Sequence, residues 1–362
     1  MPRRASHRPN RDFRLNSASR QHLRANLLML AAAMIWGSAF VAQRLSLDAI
    51  GPFLFTGIRF LLGALVVSVF VFALRRGRRS GSDHNDQRDD ASAAAFIARR
   101  PLFDAALLRD GAILGLVLAV AISLQQIGLR YTKIANAGFI SSLYVVIVPM
   151  LGVLLRHHTG PGTWIGAALA AVGLYLLSIN EHFSIMYGDW YQLGCALVIS
   201  IQVMLVSHYA PRHDPLALSI AQFVACGLVC LAIGLAVEPL RLADLLRAAP
   251  AILYGGALSV GVGYTIQVVA QRDATPAHAA VIFSMEGVFA ALAGWAALGE
   301  TLSTRALMGC ALMLAGLLAC QLLPAARKNT LSAAAIKDAN RPVDNPIDIP
   351  AHTRETRHAE SA

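Results

Sequence analysis

PAHAAVIFSMEGVFAALAGWAALGE, Pro276 to Glu300, is long and apolar enough to cross a bilayer as a helix, which takes about 20 residues. In its middle sits one carboxylate, Glu286. An ionisable group at membrane depth is costly and by default marks a function.

The same pattern occurs earlier in the chain. At an offset of 142 positions, Ile134 to His158 falls under the stretch, with Ala137 on Ala279, Ser142 on Ser284, Asn136 on His278 and Tyr144 on Glu286. Upstream at the same offset Gln125 meets Gln267 and Arg130 meets Arg272. One fixed offset that matches polar as well as apolar residues predicts an internal repeat.

Composition agrees with a membrane chain. The 362 residues are 56% hydrophobic and 14% charged, where a soluble domain carries about 25% charge. The net charge of +10 comes from the tails and one loop, which excludes a nucleic-acid partner. Cys195, Cys226, Cys230, Cys310 and Cys320 lie in apolar segments without metal-ligand spacing, so they read as packing residues. The acid-poor, Arg-rich start resembles an organellar presequence, but a polar cytoplasmic tail explains the same residues.

Ten apolar segments follow in series, near 26–45, 52–74, 107–129, 134–155, 163–179, 189–208, 215–237, 250–270, 276–298 and 304–324. With the N-terminus inside, Lys and Arg divide 24 to the cytoplasmic side and 6 to the outer side, as the positive-inside rule requires. The expected fold is therefore an all-α polytopic membrane protein of ten transmembrane helices. Its parts are a basic tail over 1–25, a first five-helix repeat over 26–180 with a charged loop at 75–106, a second repeat over 181–324, and a C-terminal tail over 325–362. Both termini are expected in the cytoplasm. An odd number of spans per half inverts the second repeat relative to the first, an architecture recurrent in transporters, with the solute site near the midplane. A second register, 163, sets Pro52 on Pro215, Arg59 on Gln222 and Phe60 on Phe223.

MIWGSAFVAQ (Met34 to Gln43), GIRFLLGAL (Gly57 to Leu65), SLYVVIVPML (Ser142 to Leu151) and FSMEGVFAALAGWAALGE (Phe283 to Glu300) resemble the drug/metabolite transporter superfamily, in particular its EamA-like group. The resemblance covers about residues 26–324. It implies a secondary carrier of small polar metabolites in a bacterial inner membrane, often driven by an ion gradient. It implies an amino acid or related compound as cargo, exported against proton entry, and no cofactor. Many members have Pro after the ninth-helix Glu; Gly287 stands here, which still permits a bend.

Glu286 is the first candidate for binding or coupling, since a carboxylate in low dielectric can exchange a proton as its surroundings change. Tyr264, Gln267 and Gln271 share one helical face, a polar stripe that should meet a cavity or another helix. Gln125 is the repeat mate of Gln267. Arg59 lies about 10 Å into the second helix, placed for a substrate carboxylate, for Glu286, or for snorkelling to the interface. Trp36, Phe40 and Gln43 share a face of the first helix. Asn136 and Tyr144 are mates of His278 and Glu286, and His278 is a candidate proton-linked group. The cavity is expected among helices one, three, four, six, eight and nine. Gly111 with Gly115, and Gly166 and Gly173 recurring as Gly309 and Gly316, read as close helix contacts. A homodimer through the Gly111–Gly115 face is compatible with each of these functions, as are lipid contacts over the surface. The rival functions are a nucleotide-sugar or lipid-linked carrier, and a receptor or membrane enzyme. An enzyme requires an intramembrane nucleophile–base pair, and none is visible along the chain.

Overall fold

The computed structural model describes residues 11–80, 104–132, 134–156, 160–178, 186–272, 274–298 and 303–323. These are helical or in short connections, with no strand among them. The expected C-terminal tail, most of the loop at 75–106 and the junction near 180 lie outside the described residues.

The helices are α1 (Arg11–Ser46), α2 (Pro52–Ser80), α3 (Ala105–Tyr131), α4 (Ile134–Ser141), α5 (Tyr144–Leu154), α6 (Pro161–Ser178), α7 (Tyr187–Tyr209) and α8 (Pro215–Val237). They continue as α9 (Leu242–Leu253), a π-helical segment (Tyr254–Tyr264), α10 (Thr265–Gln271), α11 (Pro276–Phe283), α12 (Glu286–Leu298) and α13 (Thr304–Leu322). Among the described residues nine helical runs are long and apolar enough to cross a membrane, and Pro161–Leu176 is a shorter apolar helix. The chain is thus a multi-pass membrane protein. Three ends differ from expectation, one of them the start of α9 at Leu242 rather than near 250. α1 begins at Arg11 rather than near 26, and α2 runs on to Ser80. From Arg11 to Ser46 there is no proline and one glycine, Gly37, so nothing stops the helix where its apolar part ends.

The repeat offset is written into the backbone. α4 and α11 are both eight residues long, and each is followed by a two-residue turn and a second helix. In the first, Ser142 N–H bonds Gly138 O, Leu143 N–H bonds Ile140 O and Val145 N–H bonds Ser142 O. In the second, Ser284, Met285 and Gly287 donate to Ala280, Ile282 and Ser284. Every donor and acceptor is displaced by 142. The second break falls just before Glu286, so the helix bends there without a proline at 287.

Small residues set the helix pairs. A Cβ on Gly166 would lie 2.8 Å from Gly316 O, and one on Gly173 would lie 2.6 Å from Gly309 O. The numbering runs in opposite directions, so α6 and α13 cross antiparallel. α2 and α8 are also antiparallel, with Gly57 against Leu231 and Gly227 against Leu61. Gly111 and Gly115 are taken up inside the chain, against Ala221 and Ala225 of α8, so a second copy would need another surface. Large apolar side chains such as Leu65, Val69, Phe70 and Phe72 of α2 stay exposed, where a bilayer would cover them.

The π-helical segment, YGGALSVGVGY, packs on α1 and α2. Gly256 meets Leu62 and the Arg59 carbonyl, and Gly263 meets Trp36. The widened i→i+5 register disturbs the usual backbone pairing, and the Ser259 carbonyl accepts a bond from Trp36 Nε1 at 3.3 Å.

Candidate functional site

The broken helix α11–α12 brings Glu286 to a buried position, 6% exposed. α1 approaches closely here because Gly37 lies against the Glu286 carbonyl, where a Cβ would come within 2.5 Å. Glu286 Oε1 accepts bonds from Tyr144 Oη at 3.1 Å and Ser142 Oγ at 3.2 Å. Both donors sit at the break between α4 and α5. The break in one helix therefore supplies the partners of the carboxylate at the break in the other, and Tyr144 is the residue 142 positions before Glu286.

Glu286 lines a cavity whose empty space, counted together with the solvent it opens to, is about 580 Å³. Its walls are Trp36, Phe40, Gln43, Arg59, Ile122, Gln125, Ser141, Tyr144, Ile199, Gln202, Val203, Ser259, Tyr264, Gln267, Phe283 and Glu286. Helix α2 contributes through Arg59, an addition to the six expected spans. At offset 163 Trp36 and Phe40 fall on Ile199 and Val203. At offset 142 Ile122, Gln125, Ser141 and Tyr144 fall on Tyr264, Gln267, Phe283 and Glu286. These twelve wall residues form six mate pairs; the other four, Gln43, Arg59, Gln202 and Ser259, are all polar.

The aromatic part of the wall is continuous. The Trp36 ring lies 4.7 Å from Tyr264 and 5.2 Å from Phe283, centroid to centroid. Gln267 Nε2 donates to Gln202 Oε1 at 3.1 Å, while Gln267 Oε1 and Gln202 Nε2 have no protein hydrogen bond. Gln43 Oε1 is also without one, while the Gln43 backbone carbonyl accepts from Gln126 Nε2 at 3.3 Å. The Gln125 carbonyl accepts from Gln192 Nε2 at 2.9 Å. The cavity thus offers amide donors and acceptors in reserve.

Arg59 is 2% exposed and does not snorkel. Its guanidinium carbon stands 5.0 Å from the Phe55 ring centre and 5.5 Å from that of Phe60. Among the described residues it makes no ion pair, with Glu286 or any other carboxylate, and its Nε has no hydrogen bond. Gly255 gives it room, since a Cβ there would meet Arg59 Cδ at 3.3 Å.

Of the twelve residues singled out from sequence, nine line the cavity: Glu286, Gln267, Arg59, Tyr264, Gln125, Trp36, Phe40, Gln43 and Tyr144. Gln271 does not. Its Nε2 donates to Val203 O and Ser207 Oγ of α7 at 3.1 and 3.0 Å, because one turn below the cavity the stripe meets a helix rather than a void. His278 is also elsewhere. Its Nε2 pairs with Asn26 Oδ1 at 2.9 Å and its Nδ1 with Cys320 Sγ at 3.2 Å. The Asn136 side chain lies outside the described residues. Sequence reasoning passed over Ser141, Ser142, Gln202 and Ser259, polar residues in apolar runs, although Ser142 carried a repeat signal through Ser284.

The His278–Cys320 contact sets an imidazole beside a thiol, a pairing that was not visible along the chain. It escapes a linear reading because 42 residues separate the partners. Cys320 also reaches Thr163 Oγ1 at 3.9 Å, so the group ties α1, α6, α11 and α13 together. None of these residues lines the cavity.

Three comparisons bear on this geometry. A protein from Archaeoglobus fulgidus named "Uncharacterized transporter" is 29% identical over 296 residues, covering 81% of this chain and 84% of the relative. A solved crystal structure aligns with a TM-score of 0.62 at 19% identity, over 83% of this chain and 96% of the other; it supports the fold alone. The model of the EamA-like transporter family matches residues 23–179 and 186–320. A multi-pass helical chain matched over most of its length in this way belongs to the EamA-like transporter family.

Proposed function

We propose that the protein is a secondary transporter that moves a small polar metabolite, an amino acid or related compound, out of the cell by alternating access, with Glu286 exchanging a proton for the cargo. The observation that carries this is Glu286 itself. A buried carboxylate faces a central cavity and is held on one oxygen by hydroxyls from the opposite broken helix. Its second oxygen makes no protein hydrogen bond among the described residues. A cargo donor and a proton would compete for that oxygen, which is the condition for exchange.

Alternating access in this reading comes from two inverted repeats, 26–180 and 181–324, with α6 as the fifth of ten spans. The duplicated breaks, the six mate pairs around the cavity and the antiparallel α6–α13 and α2–α8 crossings support it. A two-fold axis in the membrane plane makes mates cross antiparallel; an axis along the membrane normal would make them cross parallel. Mates that touch, as Tyr144 and Glu286 do, must lie near the axis, which is where such transporters bind their solute. The charge asymmetry supports cytoplasmic termini in a bacterial inner membrane.

The test is counterflow in proteoliposomes loaded with amino acids, polyamines, sugars or nucleosides, with and without a pH gradient. Exchange of one class, accelerated by the gradient, is the expected result. A well-folded protein that exchanges none of them would refute the assignment and favour a lipid-linked carrier or a receptor.

A further inference from the structure

The four wall residues without a mate in the wall make the contributions of the two halves chemically different, Gln43 and Arg59 from the first against Gln202 and Ser259 from the second. The sharpest difference is Arg59. Its place in the second repeat is taken by Gln222, which is buried and does not line the cavity. Arginine stays charged in proteins, and a buried, unpaired charge is unfavourable by several kcal/mol unless something compensates it. The Phe55 and Phe60 rings compensate only in part. The protein has a carboxylate in the same cavity and does not use it, since no ion pair joins Arg59 to Glu286. Two opposite charges held apart across one void leave space for a molecule that bridges them.

We infer that Arg59 is the carboxylate-binding residue of the cavity, and that it selects cargo carrying one carboxylate at the end away from Glu286. This rests on the transporter assignment for its biological meaning but not for its chemistry. A planar guanidinium matches a carboxylate with two parallel bonds, which a lysine cannot do. Ser259 and Tyr264 line the same wall as further polar groups. A phosphate dianion fits worse: no second Lys or Arg lines the cavity, so one of its charges would remain uncompensated beside Glu286.

The test is ligand-induced thermal stabilisation of the purified protein, followed by counterflow. The probes are the proteinogenic amino acids, their α-amides, the corresponding decarboxylated amines, and a phosphomonoester set. Amides and amines keep the side chain and lose only the carboxylate. The expected result is that at least one amino acid raises the melting temperature of the wild type while its amide and amine do not. The preference should be at least about tenfold in apparent affinity, as one charge-assisted pair gives. Arg59→Gln should bring acid and amide within about twofold of each other, and Arg59→Lys should fall between. A melting transition in the absence of probe shows that each variant is folded. Arg59→Met is the second variant; it removes the unpaired charge and should melt no lower than wild type.

Equal stabilisation by acid and amide, an acid preference that survives Arg59→Gln, stronger binding of phosphomonoesters, or binding of no probe overturns the inference. Acid-selective binding without counterflow would leave Arg59 in its role and refute transport. Counterflow without acid preference would do the reverse.

Discussion

Replacing Glu286 by glutamine separates proton coupling from cargo movement. The amide is nearly isosteric, and its carbonyl can take the place of Oε1, which accepts from Tyr144 at 3.1 Å and Ser142 at 3.2 Å. A hydrogen bond to an ionised acceptor contributes about 1.5–3 kcal/mol and one to a neutral acceptor about 0.5–1.5. Losing that difference, about 1–1.5 kcal/mol, at both bonds weakens the contact by about 2–3 kcal/mol. Removing a buried charge offsets part of it, so Glu286→Gln should fold and insert. In the cavity the cargo would meet a neutral acceptor, weaker by about 1 kcal/mol, so exchange at symmetrical pH should fall by no more than about tenfold. Uphill movement behaves differently. For one proton per cargo, each unit of pH gradient is about 1.4 kcal/mol and supports about tenfold accumulation. The amide takes up no proton in this range, so accumulation in the variant should equal that without a gradient. The assay is labelled cargo in proteoliposomes, as counterflow and then under an imposed pH step. A variant that still accumulates about tenfold per unit refutes coupling at Glu286. Loss of counterflow as well, from folded protein, refutes the division between coupling and binding.

Three further outcomes follow, two from the packing and one from the charge asymmetry. Gly166→Val would push its side chain against Gly316 O and Cys320 Cβ, which lie 2.8 and 2.9 Å from the first added carbon; it should destabilise by about 1–3 kcal/mol, and an unchanged melting temperature would contradict the close α6–α13 contact. Gln271→Ala should lower the melting temperature by removing two bonds of about 0.6 kcal/mol each while leaving cargo selectivity as it is; Gln267→Ala should change selectivity, and the opposite pattern in counterflow would reverse their roles. A protease site added at either terminus should be cut in inside-out vesicles and protected in right-side-out ones; cleavage only from the outer side would overturn the proposed orientation.

Much of the site was legible because a duplication leaves two noisy copies of one signal. Hydropathy alone placed the apolar segments, and the offset of 142 paired Ser142 with Ser284 and Tyr144 with Glu286, but both were read as lying in unbroken spans; that each span is broken there came only from the backbone. The same offset drew attention to Gln125, Gln267 and Tyr144. Where a residue has no mate in the wall the offset is silent, which is why Gln202 and Ser259 were passed over. Periodicity predicted a stripe that meets a cavity or a helix but did not divide it between the two. Tyr264 and Gln271 share a face in an ideal helix, yet Tyr264 ends a π-helical segment and Gln271 lies where α7 crosses. The His278–Cys320 pair could not be read at all, because it depends on the approach of α11 to α13. The charge at the start of α1 and at the end of α2 concealed how far those helices continue, since hydropathy measures the membrane and not the helix.

The pairing of helices across the halves constrains how the protein is made. α2 packs on α8 and on the π-helical segment, and α6 packs on α13, so much of the first half's packing partners belong to the second. The ribosome therefore delivers Arg59 to the membrane long before Gly255 and Gly256, which cradle it, have been synthesised. On insertion scales one central arginine is unfavourable by about 2.5–3.5 kcal/mol. The apolar residues around it, Phe55, Phe60, Leu61 and Leu62, must carry that helix into the bilayer in the meantime. Translation that stalls before α8 would leave Arg59 and the unpartnered faces of α2 and α6 exposed for quality-control proteases to recognise, and a second half supplied as a separate chain should rescue it.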